Sequence, residues 1–262
     1  MEKRFQGKVV IITGAGNGLG RATAERLARE GATLALVDIN PEFLARTQEA
    51  LEAVAPGVRT LLVTANVARE ADVAGFVEQT LTTFGRIDGL YNNAGIEGRQ
   101  NPVADYDSAE FDRVIDVNLK GVFYGMKHVL PQMVRQRSGA IVNASSVGGI
   151  RAVPNQVGYG ASKAAVAGMT RDAAIEYGIY GISVNAIAPG AIMTDMVVGS
   201  LKQIGGEEGW EEAGRRFVSV NPKQRFGRPE EVASLVAYLL SQEAEFINGA
   251  VIPIDGGQSA AY

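Results

Sequence analysis

Residues 8–38 read KVVIITGAGNGLGRATAERLAREGATLALVD, an apolar strand, a glycine-rich turn, a helical stretch and a second apolar strand. Both strands are apolar almost throughout, as expected for strands covered on both faces of a parallel sheet. The turn is Thr13-Gly14-Ala15-Gly16-Asn17-Gly18-Leu19-Gly20. Glycine allows positive φ and lets a backbone approach a pyrophosphate closely. The helix that follows offers unpaired N–H groups and the positive end of its dipole. The spacing departs from a strict G-x-G-x-x-G because position 19 is leucine. A glycine turn that binds nothing has the same composition, so the reading leans on Asp38. This residue ends the second strand about twenty residues past the glycines, where a carboxylate accepts hydrogen bonds from adenosine ribose hydroxyls. A carboxylate there repels a 2′-phosphate, no Lys or Arg follows it directly, and position 17 is Asn. The pattern therefore favours NAD over NADP. The alternative, that Asp38 only caps the helix beginning at Pro41, fits either cofactor.

Outward from this unit the alternation continues. Further strands are expected at Val58–Val67, Ile87–Asn92, Gly139–Ser145, Ile182–Ala188 and Ala250–Ile254, beside Lys8–Thr13 and Thr33–Asp38. Helical patterns fall at Gly20–Glu30, Pro41–Val54, Glu70–Phe84 and Ser108–Arg135, the last opening on Ser108 with Glu110 and Phe111 behind it. Repeated β-α-β order predicts one doubly wound α/β domain over residues 1–262, with right-handed crossovers placing helices on both faces. One stretch breaks the rhythm. Residues 194–227 hold a Gly-Gly pair, several acidic residues and the only tryptophan, Trp210. An insertion of this length in a compact domain is usually functional, so it is expected to form a helical lid. A surface excursion is the other reading.

Composition narrows the function. With 46% hydrophobic and 21% charged residues the chain is an ordinary globular one. A net charge of -4 argues against a general nucleic-acid binder. The absence of cysteine excludes disulfides, thiolate catalysis and cysteine zinc sites, and suits a reducing cytoplasm. The opening MEKRFQGK is not a signal peptide, and no apolar run reaches the ~18 residues of a membrane span. A soluble cytoplasmic protein is expected. His128 is the only histidine, so a histidine metal cluster is excluded and no metal is expected.

Tyr159 and Lys163, in YGASK, stand at i and i+4 on one helical face. A free phenol titrates near pH 10, too high for efficient proton exchange at neutral pH; a neighbouring ammonium stabilises the phenolate. Alone, such a pair is usually a solvated helix contact. Ser146 changes the odds, because it ends the strand AIVNASS at the carboxyl edge of the sheet, where open α/β folds bind ligands. Its hydroxyl can polarise a carbonyl oxygen. Asn118, in VNLKG, can link Lys163 to solvent through water, or simply bond to backbone.

Taken together these residues resemble the short-chain dehydrogenase/reductase family. The resemblance spans nearly the whole chain: TGAGNGLG at 13–20, Asp38, NNAG at 92–95, VNLKG at 117–121, Ser146, YGASK at 159–163, APG at 188–190 and IDGG at 254–257. It implies a Rossmann-type fold with strand order 3-2-1-4-5-6-7 and hydride transfer between NAD(H) and a carbonyl or secondary alcohol. By the same resemblance Tyr159 is the acid/base, Ser146 positions the substrate oxygen, Lys163 holds ribose and lowers the tyrosine pKa, and Asn118 completes a proton relay. The implied cofactor contacts are Gly14, Asn17, Gly18, Leu19, Gly20, Asp38, Ile39, Asn66, Val67, Asn93, Ala94, Gly95, Pro189, Gly190, Ile192 and Thr194, with Tyr159 and Lys163. Many members carry aspartate where Asn66 stands, which weakens that contact.

The stretches at 92–102, 146–159 and 253–262 are similar to a family member acting on a substituted cyclohexanedione. A small, largely apolar cyclic ketone or its alcohol is the implied substrate. Val147, Ile150, Val153, Met193 and Met196 are candidate apolar lining, and Glu97 and Gln156 candidate polar contacts; a loop salt bridge with Arg99 is the other role for Glu97. Competing readings are a 3-oxoacyl thioester reductase, a sugar or steroid alcohol dehydrogenase, and a non-catalytic NAD sensor. The first usually uses NADP and a basic surface, which Asp38 and the acidic balance oppose. A sensor is expected to lose the tyrosine or lysine, and both are present. Helices at 108–135 and 159–177 pair between subunits in the family, implying a homotetramer; the pattern alone does not separate it from a dimer. The tail GGQSAAY at 256–262 is apolar enough to cross a subunit boundary.

Overall fold

A computed structural model describes residues 3–219 and 221–260. Seven parallel strands form one sheet in the order β3-β2-β1-β4-β5-β6-β7. They are β1 (Val9–Thr13), β2 (Thr33–Asp38), β3 (Thr60–Thr64), β4 (Gly89–Asn92), β5 (Gly139–Ala144), β6 (Ile182–Pro189) and β7 (Val251–Ile254). The helices are α1 (Gly18–Arg29), α2 (Pro41–Val54), α3 (Glu70–Phe84), α4 (Ser108–Ile115), α5 (Gly121–Gln136), α6 (Val157–Tyr177), α7 (Asp195–Ser219) and α8 (Pro229–Leu239).

Alternation along each strand feeds two cores. Val10, Ile12, Leu34 and Leu36 pack on α1 and α8 with Leu27, Val232 and Val236. Ile11, Ala35, Val37 and Leu90 turn the other way, onto Phe76, Val129 and Val166 of α3, α5 and α6. Strands without a polar face are thus explained, since each face has its own helices. Inside the second layer Asn92 Nδ2 donates to Asn143 Oδ1 at 2.9 Å, and Asn143 Nδ2 to Thr170 Oγ1 at 3.0 Å. This chain ties β4, β5 and α6 together behind the site. Chain order reverses between β1 and β4, so a crevice opens at their carboxyl ends.

The expected elements recur with shifted ends. The strand expected at Val58–Val67 is cut to Thr60–Thr64, because Asn66 is drawn into a turn: its N–H donates to Asp72 Oδ2 at 3.0 Å and its Oδ1 accepts from Ala68 N at 3.0 Å. The helix expected at Ser108–Arg135 is two helices joined by a π-helical turn, Asp116–Lys120. Its mark is the Gly121 N–H bonding to Asp116 O, one residue beyond α-helical register. Asp107 rather than Ser108 caps α4, its Oδ1 accepting from Glu110 N at 2.8 Å. Residues 194–227 are mostly helical, as expected. Gly206 interrupts α7 at φ 73°, ψ 178°, a conformation open in practice to glycine alone. Both ends of this excursion meet at one point, where Gly227 N donates to Ala191 O at 2.8 Å and Met193 N to Gly227 O at 3.0 Å. Within the 256–262 tail, Ala261 and Tyr262 lie outside the described residues.

Candidate active site

The carboxyl ends of β1, β4, β5 and β6 open into a cleft of about 310 Å³. Its floor is the glycine turn. Thr13 Oγ1, at the end of β1, accepts from the N–H groups of Asn93 and Ala94 at 3.0 and 3.1 Å. Asn93 Nδ2 returns the contact, donating to Thr13 O at 3.0 Å and Gly14 O at 3.1 Å. Close approach explains the glycines. A Cβ on Gly14, where φ is +63°, would stand 2.9 Å from Ala94 Cα, and one on Gly20 would stand 2.0 Å from Gly14 O. Gly20 therefore serves helix-to-strand packing. Asn17 caps α1, its Oδ1 accepting from Gly18 N at 2.5 Å. Asp38 is fixed at the end of β2: Oδ2 accepts from Gly16 N at 2.9 Å and Oδ1 from Asn40 N at 3.0 Å. The cap of α2 is Asn40, not Asp38.

At the other end of the cleft stand Ser146, Tyr159 and Lys163. Ser146 follows β5 and caps a short turn, its Oγ accepting from Gly148 N at 3.1 Å. Lys163 is buried, and its Nζ donates to Ala144 O at 2.8 Å. That ammonium lies 5.6 Å from the centroid of the Tyr159 ring. A Cβ at position 95 would stand 3.4 Å from Lys163 Nζ, so glycine there keeps the ammonium open to the cleft. Burial lowers Lys163 to about 8. Burial also pushes the Tyr159 phenol up, and its hydrogen bond with Ser146 acts the other way. The net direction for Tyr159 is thus upward, opposite to the lowering the resemblance implies, because burial outweighs the favourable hydrogen bond.

Asn118 is buried in the π-helical turn. Its Oδ1 accepts from Ile96 N at 2.8 Å, and its Nδ2 donates to Ile96 O at 2.8 Å and Ser162 Oγ at 3.2 Å. The side chain pins the NNAG segment to the helices rather than reaching Lys163. Leu19, Ala94, Pro189, Gly190, Ile192 and Thr194 line the cleft with the residues above. Of the other implied cofactor contacts, Ile39 is exposed just after β2, Asn66 serves the turn before α3, and the Val67 side chain packs on Gly121. Thr194 and Asp195 cover the mouth, with Asn17 Nδ2 donating to Asp195 Oδ2 at 2.6 Å.

Ser146 and Tyr159 also line a second, smaller pocket of about 100 Å³. Val147, Val153 and Met196 belong to it as expected, whereas Ile150 and Met193 do not. Glu97 and Gln156 face each other there, Gln156 Nε2 donating to Glu97 Oε1. Among the described residues Glu97 forms no salt bridge with Arg99; the Arg99 backbone N–H donates to Glu110 Oε1 at 3.1 Å. Sequence reasoning missed Phe43 in the larger cleft and Ser200, Leu201, Phe217 and Gln258 in the smaller. Phe43 carried a readable signal, one turn into the helix that follows Asp38. The others carried none, since only the path of α7 and the C-terminal segment brings them near. His128 is half-buried on α5, with Nε2 3.1 Å from Glu70 Oε1. Among the described residues no His, Cys, Asp and Glu group is arranged to hold a metal ion. No helix among them is long and apolar enough to cross a membrane.

A family model described as enoyl-(acyl carrier protein) reductase matches residues 14–259. The chain belongs to the short-chain dehydrogenase/reductase family. Levodione reductase of Leifsonia aquatica is 53% identical over 259 residues, covering 99% of this chain and 97% of that protein. A crystal structure of levodione reductase superposes with a TM-score of 0.97 at 53% identity, over 98% of this chain and 100% of that one. Cyclohexanol dehydrogenase of Acinetobacter sp. (strain SE19) is 38% identical over 99% of this chain and 98% of its own. The structure of NAD+-bound xylitol dehydrogenase aligns at 37% identity with a TM-score of 0.90, covering 97% of this chain and 99% of that one.

Proposed function

We propose that this chain is an NAD(H)-dependent oxidoreductase interconverting a carbonyl and a secondary alcohol, acting on a small, largely apolar cyclic ketone as levodione reductase does on levodione. One observation carries the reading: Ser146 and Tyr159 belong to the walls of both pockets, so one hydroxyl pair faces a dinucleotide on one side and a small apolar site on the other. The residues present fit NAD. The crowded glycines leave a floor that any Cβ would fill, and Asp38 is held at the β2 end of the cleft where ribose hydroxyls need an acceptor. Bound nicotinamide supplies or accepts the hydride.

The protein groups manage the oxygen and its proton. Ser146 and Tyr159 hold the substrate oxygen, and Tyr159, protonated at neutral pH because burial raises it, donates its proton as a ketone is reduced. Alcohol oxidation needs the phenolate and is favoured by alkaline pH. Lys163 is poised to hold the ribose hydroxyls beside that phenol. Asn118 acts by fixing the segment around Ile96, and a relay through it runs by backbone and water, since its side chain is engaged. Residues 194–227 form the lid of a single domain, hinged at Gly206 and latched to the glycine turn through Asn17 and Asp195. Glu97, Val147, Gln156 and Met196 contact substrate. A homotetramer in the cytoplasm is the assembly and location we favour; Phe123 on α5 and Ile175 on α6 are large apolar side chains left exposed for a partner copy.

The test is a panel of cyclic ketones, 3-oxoacyl thioesters and sugars assayed with NADH and NADPH. Turnover of cyclic ketones with NADH is expected. Tyr159→Phe should bind NADH normally and lose about 10²–10⁴ in turnover. Preference for thioesters with NADPH would move the chain to that branch, and NAD binding without turnover of any substrate would make it a sensor.

A further inference from the structure

Three consecutive residues at the end of β5 each hold a different part of α6. Ala144 O accepts from Lys163 Nζ at 2.8 Å. Ser145 Oγ donates to Lys163 O at 2.8 Å. Ser146 shares a hydrogen bond with the Tyr159 phenol. Lys163 is therefore gripped at both ends, its ammonium by one residue and its main chain by the next. Ser145 is buried, and its own N–H donates to Ile187 O of β6 at 2.9 Å. Its hydroxyl is thus anchored in the sheet. The short turn after Ser146 closes on the same peptide, since a Cβ on Gly149 would stand 2.6 Å from Lys163 C and 2.7 Å from Lys163 O.

Two features assign this bond to position. A carbonyl in the body of α6 already has its helical partner four residues along, so the hydroxyl takes the second lone pair of an oxygen that is satisfied without it. The N-terminal end of α6 carries no side-chain cap, so contacts further along the helix decide where Tyr159 and Lys163 stand. We propose that Ser145 is a positioning residue, whose hydroxyl sets the reach of the Lys163 ammonium into the cofactor cleft by holding the lysine main chain to the sheet. This rests on the NAD(H) reading above. An ammonium has three donors. With one on Ala144 O, two remain for ribose hydroxyls, on the side that Gly95 leaves open. When the main chain is released, α6 can shift against β5, and Nζ can no longer serve Ala144 and the ribose together. Ser145 belongs to the wall of the larger cleft and not of the smaller pocket, so the effect is on the cofactor.

The experiment is a double-mutant cycle read by NADH affinity, from fluorescence titration at pH 7, with circular dichroism to confirm folding. Ser145→Ala should weaken NADH binding by about three- to tenfold, since the worth of one buried hydrogen bond bounds what its loss can take. Ser145→Thr keeps the hydroxyl and should stay within about twofold of wild type. In a Lys163→Met background, where no ammonium remains to be placed, Ser145→Ala should cost less than about twofold. In an Asp38→Ala background, which weakens NADH at the far end of the cleft, it should cost its full three- to tenfold. A merely structural role would give the same loss in both backgrounds. Ser145→Cys, whose thiol is a weak donor, repeats the cycle if the alanine variant does not fold. Unchanged NADH affinity in folded Ser145→Ala, or an equal loss in the Lys163→Met background, overturns the assignment and leaves the NAD(H) reading intact. Wild type that binds no NADH brings down both.

Discussion

Thr13 holds the floor of the cofactor cleft with one oxygen, and Thr13→Val should reveal how much rests on it. Valine keeps the shape and removes the acceptor. The Asn93 and Ala94 N–H groups, at 3.0 and 3.1 Å from Oγ1, then lose their partner beside a buried residue. A buried donor left unpaired costs ~1–3 kcal/mol. Two donors at a half-buried site give ~2–4 kcal/mol. For 262 residues, an unfolding entropy of ~2.1 cal/mol/K per residue is ~0.55 kcal/mol/K, so the melting temperature should fall by ~4–7 °C. Thr13→Ser restores the acceptor and should recover most of that loss. Thermal melts by circular dichroism and NADH titration by fluorescence provide the readouts. Affinity for NADH should weaken with stability in Thr13→Val, because the same two groups set the height of the β4 end against the glycine turn. A Thr13→Val melting point within about 1 °C of wild type would refute the idea that this oxygen holds the two strand ends together.

Gly20→Ala puts a methyl 2.0 Å from Gly14 O, against backbone that has no room to yield; NADH binding should be lost in any folded protein recovered, as titration by fluorescence checks. Lys163, lowered to about 8 by burial, carries its charge below that pH and loses it above. NADH affinity should therefore fall by at least about threefold between pH 7 and 9, while Lys163→Met should show weak binding with no such slope.

Much of the molecule was legible in advance, and the reason is periodic. VVIIT and TLALVD are apolar at every step because helices cover both faces, and a glycine turn followed by Asp38 marks the crevice between them. Tyr159 and Lys163 were readable because an i, i+4 spacing fixes their face whatever the helix packs against. What could not be read from local pattern depends on distant partners. The π-helical turn at Asp116–Lys120 has no local signature, for it goes with Asn118 gripping the backbone of Ile96, twenty-two residues away. Ser200 and Gln258 became pocket residues only through the course of α7 and the C-terminal segment, which no pattern within those segments foretells. The upward direction of Tyr159 was not legible, because desolvation depends on the whole fold, whereas the spacing showed only a lysine four residues along the chain.

The excursion that carries α7 departs from the body at Ala191 and returns at Gly227, bonded to itself across that neck. Such a neck isolates the strand order from whatever the excursion contains. Residues between its two ends can drift in length, charge and bulk without disturbing how β6 and β7 lie side by side. A lineage built this way can exchange its clientele while its hydride chemistry stays put, as one socket accepts successive tools.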